Sequence, residues 1–326
     1  MRRRDFIKVV AGSAASWPLA ARAQQPTEPV VGFFHVGSRD AFSHLVSAFR
    51  QGLAASDFVE GRNVAVEYCW AEGQLDRLPT LAADLMGRHR LALMAGNVTA
   101  ILAVIALAPT LPFVFVTGED PVKLGLVESL NRPGGNATGA LTLTSGLEAK
   151  RLGLLRDVVP KAKNFAVLLD PDYLTVDAQA RDVREAATRL GLQVGVVLAN
   201  SDRDVEAAFA SFVERRVEAL MVGASPNFNN RRDRLVTLSA RHRLPTIYEV
   251  REFVAVGGLM SYGNDIADSY RQIGIYAGRI LKGTKPSDLP VMQPSKFHIA
   301  INLKTAKTLG VEISANLLTV ADEVIE

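Results

Sequence analysis

The 326-residue sequence predicts an α/β protein of two similar lobes, each an open, mostly parallel sheet wrapped by helices. Three observations predict it. Short apolar runs alternate with helical stripes along almost the whole chain, the pattern of right-handed βαβ crossovers. The alternation stops at a cluster of turn residues, Asn131-Arg132-Pro133-Gly134-Gly135-Asn136, and then starts again. A chain of about 300 residues after its leader is also longer than one core usually serves.

Residues 1–23 read as a cleaved export leader. Arg3-Arg4-Asp5-Phe6-Ile7-Lys8 matches the twin-arginine pattern R-R-x-F-[LI]-K, and Ala21-Arg22-Ala23 supplies an A-x-A cleavage signal before Gln24. The apolar stretch between them is interrupted by Gly12, Ser13, Ser16 and Pro18 and is too short to span a bilayer. The expected location is the periplasm. Gln24, not a cysteine, follows the cleavage signal, so no lipid anchor is expected. Cys69, the single cysteine, lies in NVAVEYCW and reads as a small buried hydrophobe.

The leader holds five of the 37 basic residues (Arg2, Arg3, Arg4, Lys8, Arg22) and one of the 34 acidic ones, Asp5, leaving 32 basic against 33 acidic groups. The net charge of +3 therefore belongs to the leader. No global basic excess remains to hold a phosphate backbone.

In the first half, strands are expected at VVGFFHV (30–36), NVAVEYCW (63–70), LALMAG (91–96) and LPFVFVTG (111–118). They are near-continuous apolar runs, as in strands covered on both faces. Leu45, Ala48, Phe49, Gly52 and Leu53 form one helical stripe, and Leu75, Leu78, Leu81, Ala82 and Leu85 another. An extended ATGALTLT leads out of this half. The second set is FAVLLD (165–170), LQVGVVLAN (192–200), VEALMVGAS (217–225), LPTIYE (244–249) and GGLMSYG (257–263). Val183, Ala186, Ala187 and Leu190, then Val205, Ala208, Phe209 and Phe212, mark the helices between. The last part is a helix over 265–282, a Pro-rich loop, HIAINL and a tail, too small for a third domain. It is expected to complete both halves by crossing back between them. One lobe then comprises 26–141 plus about 265–293, and the other 142–264 plus about 294–326.

Ligands of such sheets bind outside the carboxyl ends of the strands, where helix N-termini converge. The residues there are Asn97 and Thr99, then Thr117, Gly118, Glu119 and Asp120 in the first half. In the second they are Asp170, Tyr173, Ser225, Glu249 and Tyr262. Plain N-capping accounts for Asn97, Thr99 or Ser225 taken singly. Their recurrence along one edge of two sheets favours a cleft. A carboxylate directly after TIY points the same way for Glu249, against the alternative of a surface charge opening a helix. Tyr173, Tyr248, Tyr262 and Phe228 offer stacking faces, although aromatics near strand ends are more often core. The five histidines, His35, His44, His89, His242 and His298, show neither metal-ligand spacing nor a catalytic motif. Glycine-rich phosphate or dinucleotide loops are absent too. No cofactor or metal is expected, and no enzymatic activity, though a carboxylate pair assembled in space would leave no motif.

Asp120-Pro121-Val122, Gly125-Leu126-Val127, Ser129-Leu130, Arg132-Pro133-Gly134-Gly135-Asn136 and Thr138-Gly139 form a run that resembles one family strongly. So do Lys150-Arg151-Leu152, Leu154-Leu155 and Pro160, and later Asn302, Ala306 and Leu309-Gly310. The resemblance is to the substrate-binding proteins of tryptophan/tyrosine-type ABC transporters, a branch of the type I periplasmic binding proteins, and it covers the whole mature chain. It implies two lobes joined by a three-strand hinge, closing on a small solute such as an amino acid for an inner-membrane permease and its ATPase. Asn97, Thr99 and Gly118 to Asp120 would then hold a carboxylate-like group, Glu249 an ammonium, and Tyr173 or Tyr262 the side chain. Asn97-Val98-Thr99 stands where relatives often carry a Ser/Thr-Pro turn, and Asp170-Pro171 replaces Asn-Pro, so a role is implied rather than one ligand. A monomer is expected, with no nucleic-acid partner. Two other classes share the pocket: a ligand-sensing subunit for a membrane receptor, and a carboxylate-based hydrolase or isomerase.

Overall fold

The computed structural model describes residues 28–142, 146–294 and 297–326. The leader lies outside the described residues. The strands are β1 (Val30–His35), β2 (Ala65–Trp70), β3 (Leu91–Asn97), β4 (Phe113–Thr117), β5 (Ala137–Leu141), β6 (Asn164–Leu169), β7 (Gln193–Leu198), β8 (Ala219–Val222), β9 (Thr246–Tyr248), β10 (Met260–Asn264), β11 (Phe297–Asn302) and β12 (Glu323–Ile325). They form two sheets, ordered β2-β1-β3-β4-β5 and β12-β11-β10-β9-β8-β6-β7. Among the described residues, every strand pairing is parallel except β10 with β11. The fold is therefore two α/β lobes with parallel-dominated sheets.

Helices α1 (Ser43–Ala54), α2 (Leu78–Arg88) and α3 (Val98–Ile105) alternate with the first strands. Helices α4 (Glu148–Val158), α5 (Val176–Leu190), α6 (Asp202–Glu214), α7 (Pro226–Asn230), α8 (Arg232–Arg241) and α9 (Arg251–Ala255) serve the second sheet. Each sheet separates two apolar layers. Phe33, Leu93 and Val114 face α1 on one side of the first, while Phe34, Met94 and Phe115 face α2 and α3 on the other. This explains the unbroken apolar runs, since strands covered on both faces have no polar side.

Helix α10 (Ile266–Leu281) leaves the second sheet and packs back on α1 and β5. Gly52 and Gly274 allow this crossing. A Cβ on Gly52 would meet the Arg271 carbonyl at 2.0 Å, and one on Gly274 would meet that of Phe49 at 2.2 Å. The chain then runs along β5, where Leu141 N–H donates to Met292 O (2.7 Å), before returning for β11, α11 (Leu303–Leu309), α12 (Ala315–Val320) and β12. The chain thus passes between the sheets three times: after β5, after β10 and before β11. The short strand β12 and helices α7 and α9 are too brief to show a period.

Candidate ligand-binding cleft between the lobes

The carboxyl ends of both sheets face one cleft, and the lobes touch across it. Ser38 Oγ donates to Asn230 Oδ1 (2.6 Å), Arg232 Nη1 to Ala41 O (2.9 Å), and His44 Nε2 lies 3.5 Å from Glu252 Oε1. Two adjoining chambers lie between, each with about 60 Å³ of space for water-sized atoms. Thr99, Tyr173 and Pro226 line both.

The inner chamber takes Asn97, Thr99, Thr117 and Gly118 from the first lobe and Tyr173, Asn229 and Glu249 from the second. The first-lobe wall begins at Gly96, whose absent Cβ would sit 1.9 Å from Phe34 O. That close approach brings the end of β3 beside the end of β1, and Val36 N–H donates to Asn97 Oδ1 (3.1 Å). Asn97 stands at the N-cap of α3 yet makes no side-chain cap, so capping does not explain it. Its oxygen is committed to β1, and its amide retains N–H donors. The first N–H groups of α3 have no side-chain cap and open toward Val98 and Thr99, which line the chamber.

His35 closes the floor of this wall. Its Nδ1 accepts from Gly37 N–H (2.9 Å), which puts the proton of a neutral ring on Nε2. Burial, with a smaller push from His44, lowers its pKa to about 3, so the ring is neutral. Phe42, Leu45, Ile266 and Tyr270 complete an apolar and aromatic side.

The second-lobe wall differs. Glu249 is 5% exposed, and its Oε2 has no hydrogen-bond partner among the described residues. Burial raises its pKa to about 7 against the opposing pull of Arg151 and of the Asn229 amide. The outer chamber adds Asp170, Asp172, Asn200 and Ser225. Ser225 is committed twice: Oγ donates to Asp170 Oδ2 (2.5 Å) and accepts from Asn227 N–H (3.0 Å), so the capping reading holds for it.

Five residues that the sequence offers for the site line neither chamber. Tyr262 points toward the core of its own lobe and stacks on Phe297 at 6.0 Å, because alternate residues of β10 face opposite sides. Asp120 is exposed and folds back to accept from Val122 N–H (3.0 Å). Glu119 is half-buried, and burial raises its pKa, but only its neighbours Thr117 and Gly118 reach the chamber. Phe228 and Tyr248 are fully buried core, the latter stacked on Phe253 at 4.4 Å. Sequence reasoning misses Phe42 and Tyr270, which come from a loop and from the returning α10, and His35, which ends a strand but carries no motif.

A model of the family described as ABC transporter substrate binding protein matches residues 31–325. The chain belongs to that family. A tyrosine-binding protein from Clostridioides difficile (strain R20291) is 22% identical over 286 residues, covering 86% of this chain and 81% of the relative. A Streptococcus pneumonia ABC domain solved in complex with L-Trp superposes with a TM-score of 0.82 at 23% identity, over 92% of this chain and 100% of that one. A ligand-free, open substrate-binding protein from Clostridium difficile gives 0.65 at 22% identity, over 91% and 99%. These likenesses support the type I periplasmic binding fold. As an ABC substrate-binding protein, the chain captures a small molecule and works with an ABC permease outside the cytoplasm. Among the described residues, no helix is long and apolar enough to cross a membrane.

Proposed function

We propose that this substrate-binding protein captures an amino acid, aromatic or of similar size, by closing its two lobes around it. The observation that carries the reading is the buried Glu249 carboxyl, whose Oε2 lacks a hydrogen-bond partner among the described residues, in the wall of a chamber that Val98 and Thr99 at the uncapped start of α3 also line. A zwitterion matches both ends. Its ammonium satisfies the carboxylate, and its carboxylate takes the first N–H groups of α3 with the Asn97 amide and Thr99 hydroxyl. Phe42, Tyr173 and Tyr270 offer ring faces to the side chain. The names of the tyrosine-binding relative and the L-Trp complex support the same ligand class. Because the groups come from both lobes, ligand stabilises the closed form, and that form docks on the inner-membrane permease.

The protein acts without catalysis or cofactor, as a monomer delivered to the periplasm by its twin-arginine leader without lipidation. Thermal unfolding of residues 24–326, stripped of co-purified solute, against amino acids, sugars and small peptides tests the ligand class. Ligand at 100 times its dissociation constant adds about 2.7 kcal/mol, a rise of a few degrees at this size. A response confined to sugars or peptides would overturn the reading. Retention of the precursor in a host lacking the twin-arginine machinery checks the export route.

A further inference from the structure

Beneath the ligand chamber lies a buried charge cluster that solute binding by itself does not require. Arg151, in the first turn of α4, is 1% exposed, and Glu148 is fully buried. Arg151 Nε donates to Tyr262 O (2.8 Å), on the strand that leads to the second passage between the lobes. Glu148 Oε2 accepts from Gly146 N–H (2.8 Å), where the first passage ends, and its Oε1 lies 3.8 Å from Arg151 Nη1. The third member is Glu249: a Cβ on Gly263 would lie 2.1 Å from Glu249 O and 3.6 Å from Arg151 Nη2, so the guanidinium sits beside this residue, and its charge favours the Glu249 carboxylate.

A guanidinium buried for stability normally spends its two terminal nitrogens on a bidentate pair. Among the described residues, Nη1 and Nη2 have no hydrogen-bond partner, and neither has Glu148 Oε1 or Glu249 Oε2. Buried charges held this way weaken a fold rather than strengthen it. Among the described residues, the other groups around Glu249 supply no second cation: Glu148 and Glu252 are acidic, Asn229 is an amide, and His35 and Tyr270 across the chamber are neutral.

We propose that Arg151 is a positioning residue that couples the ligand's ammonium group at Glu249 to the hinge. The proposal rests on the reading of Glu249 as the ammonium partner. Without ligand, one guanidinium serves two buried carboxylates. A bound ammonium takes over at Glu249 and leaves Arg151 to Glu148. Both of its anchors, Tyr262 O directly and Gly146 N–H through Glu148, sit on chain segments that pass between the lobes.

The test compares R151Q and R151K with the parent protein. The Glu249 carboxyl is titrated by carbon-13 NMR in ligand-free protein, its signal assigned by its loss in E249Q. Calorimetry with L-tyrosine and L-tryptophan at about pH 6 and about pH 8.5 gives affinities, and small-angle scattering gives lobe closure. Coupling predicts that R151Q raises the Glu249 titration by about one unit or more and weakens binding about tenfold near pH 6, with recovery near pH 8.5. R151K, which keeps the charge but loses the fork, restores the titration and not the ligand-induced closure. An unchanged titration in R151Q, or a loss of affinity equal at both pH values, overturns the proposal; if R151Q does not fold, R151K decides by its closure. If the parent protein binds neither amino acid, the ligand reading fails, while the ligand-free titration still decides whether Arg151 governs Glu249.

Discussion

The two walls of the inner chamber solve opposite problems with opposite chemistry. The first-lobe wall holds neutral groups: an amide, hydroxyls, a neutral imidazole and the uncapped start of α3. The second-lobe wall holds a carboxylate, buried above a guanidinium. An anion can be met by backbone dipoles that are already part of the fold and carry no net charge to desolvate. A cation needs a counter-charge, and burying one at this wall raises the Glu249 pKa to about 7. One wall thus carries no buried charge, and the other carries a burial penalty on Glu249 that the proposed ammonium would relieve.

The largest expected effect breaks the second wall. Glu249→Gln should weaken amino-acid binding at least about a hundredfold, since it removes the charge opposite the ammonium. The same change should stabilise the ligand-free protein at alkaline pH. A carboxyl whose folded pKa lies above its unfolded value contributes fully below the unfolded pKa and loses that contribution as pH rises through about 7. The loss is about 3 kcal/mol at most. Melting curves of both proteins near pH 5 and pH 8 check this, with the difference expected only at the higher pH. Equal melting at both would mean that Glu249 is not held in the protonated form.

Adding charge to the neutral wall sharpens the comparison. Asn97→Asp keeps the acceptor for Val36 N–H but puts a second anion beside the ligand carboxylate. Affinity should fall more than tenfold, and more than for Asn97→Ala, which loses one hydrogen bond of about 1 kcal/mol. Calorimetry on the pair would contradict the neutral-wall reading if the order were reversed. Ser225→Ala should act on the fold before the ligand. It removes the cap of α7 and the 2.5 Å partner of Asp170, lowering stability by about 1–2 kcal/mol in denaturant unfolding. Tyr262→Phe should be the smallest, with affinity unchanged, because the ring faces its own lobe and its backbone carbonyl does the bonding to Arg151.

The strands and long helices were legible because buried parallel strands need unbroken apolar runs and covered helices need a stripe. Ser225 shows how far local chemistry reaches: N-cap residues are chosen by the helix that follows, and it caps. Asn97 has the same local sequence logic and does something else, because Gly96 brings Phe34 and Val36 within reach of it. Tyr262 and Asp120 sit at strand ends like Glu249 but turn away. Strand-face alternation removes the first, and a local turn the second.

The sequence alone determined the two-lobed α/β class, the family, the edge where the site lies and the carboxylate after β9, since each depends on residues adjacent in the chain. Only the tertiary structure decided which strand-end groups share a chamber, that Phe42 and Tyr270 close it, and that Arg151 and Glu148 lie buried beside Glu249. Those facts depend on segments up to two hundred residues apart being packed to within a few ångströms. Pattern along a chain reports what each residue must be near, water or core, but not which distant residue it meets there.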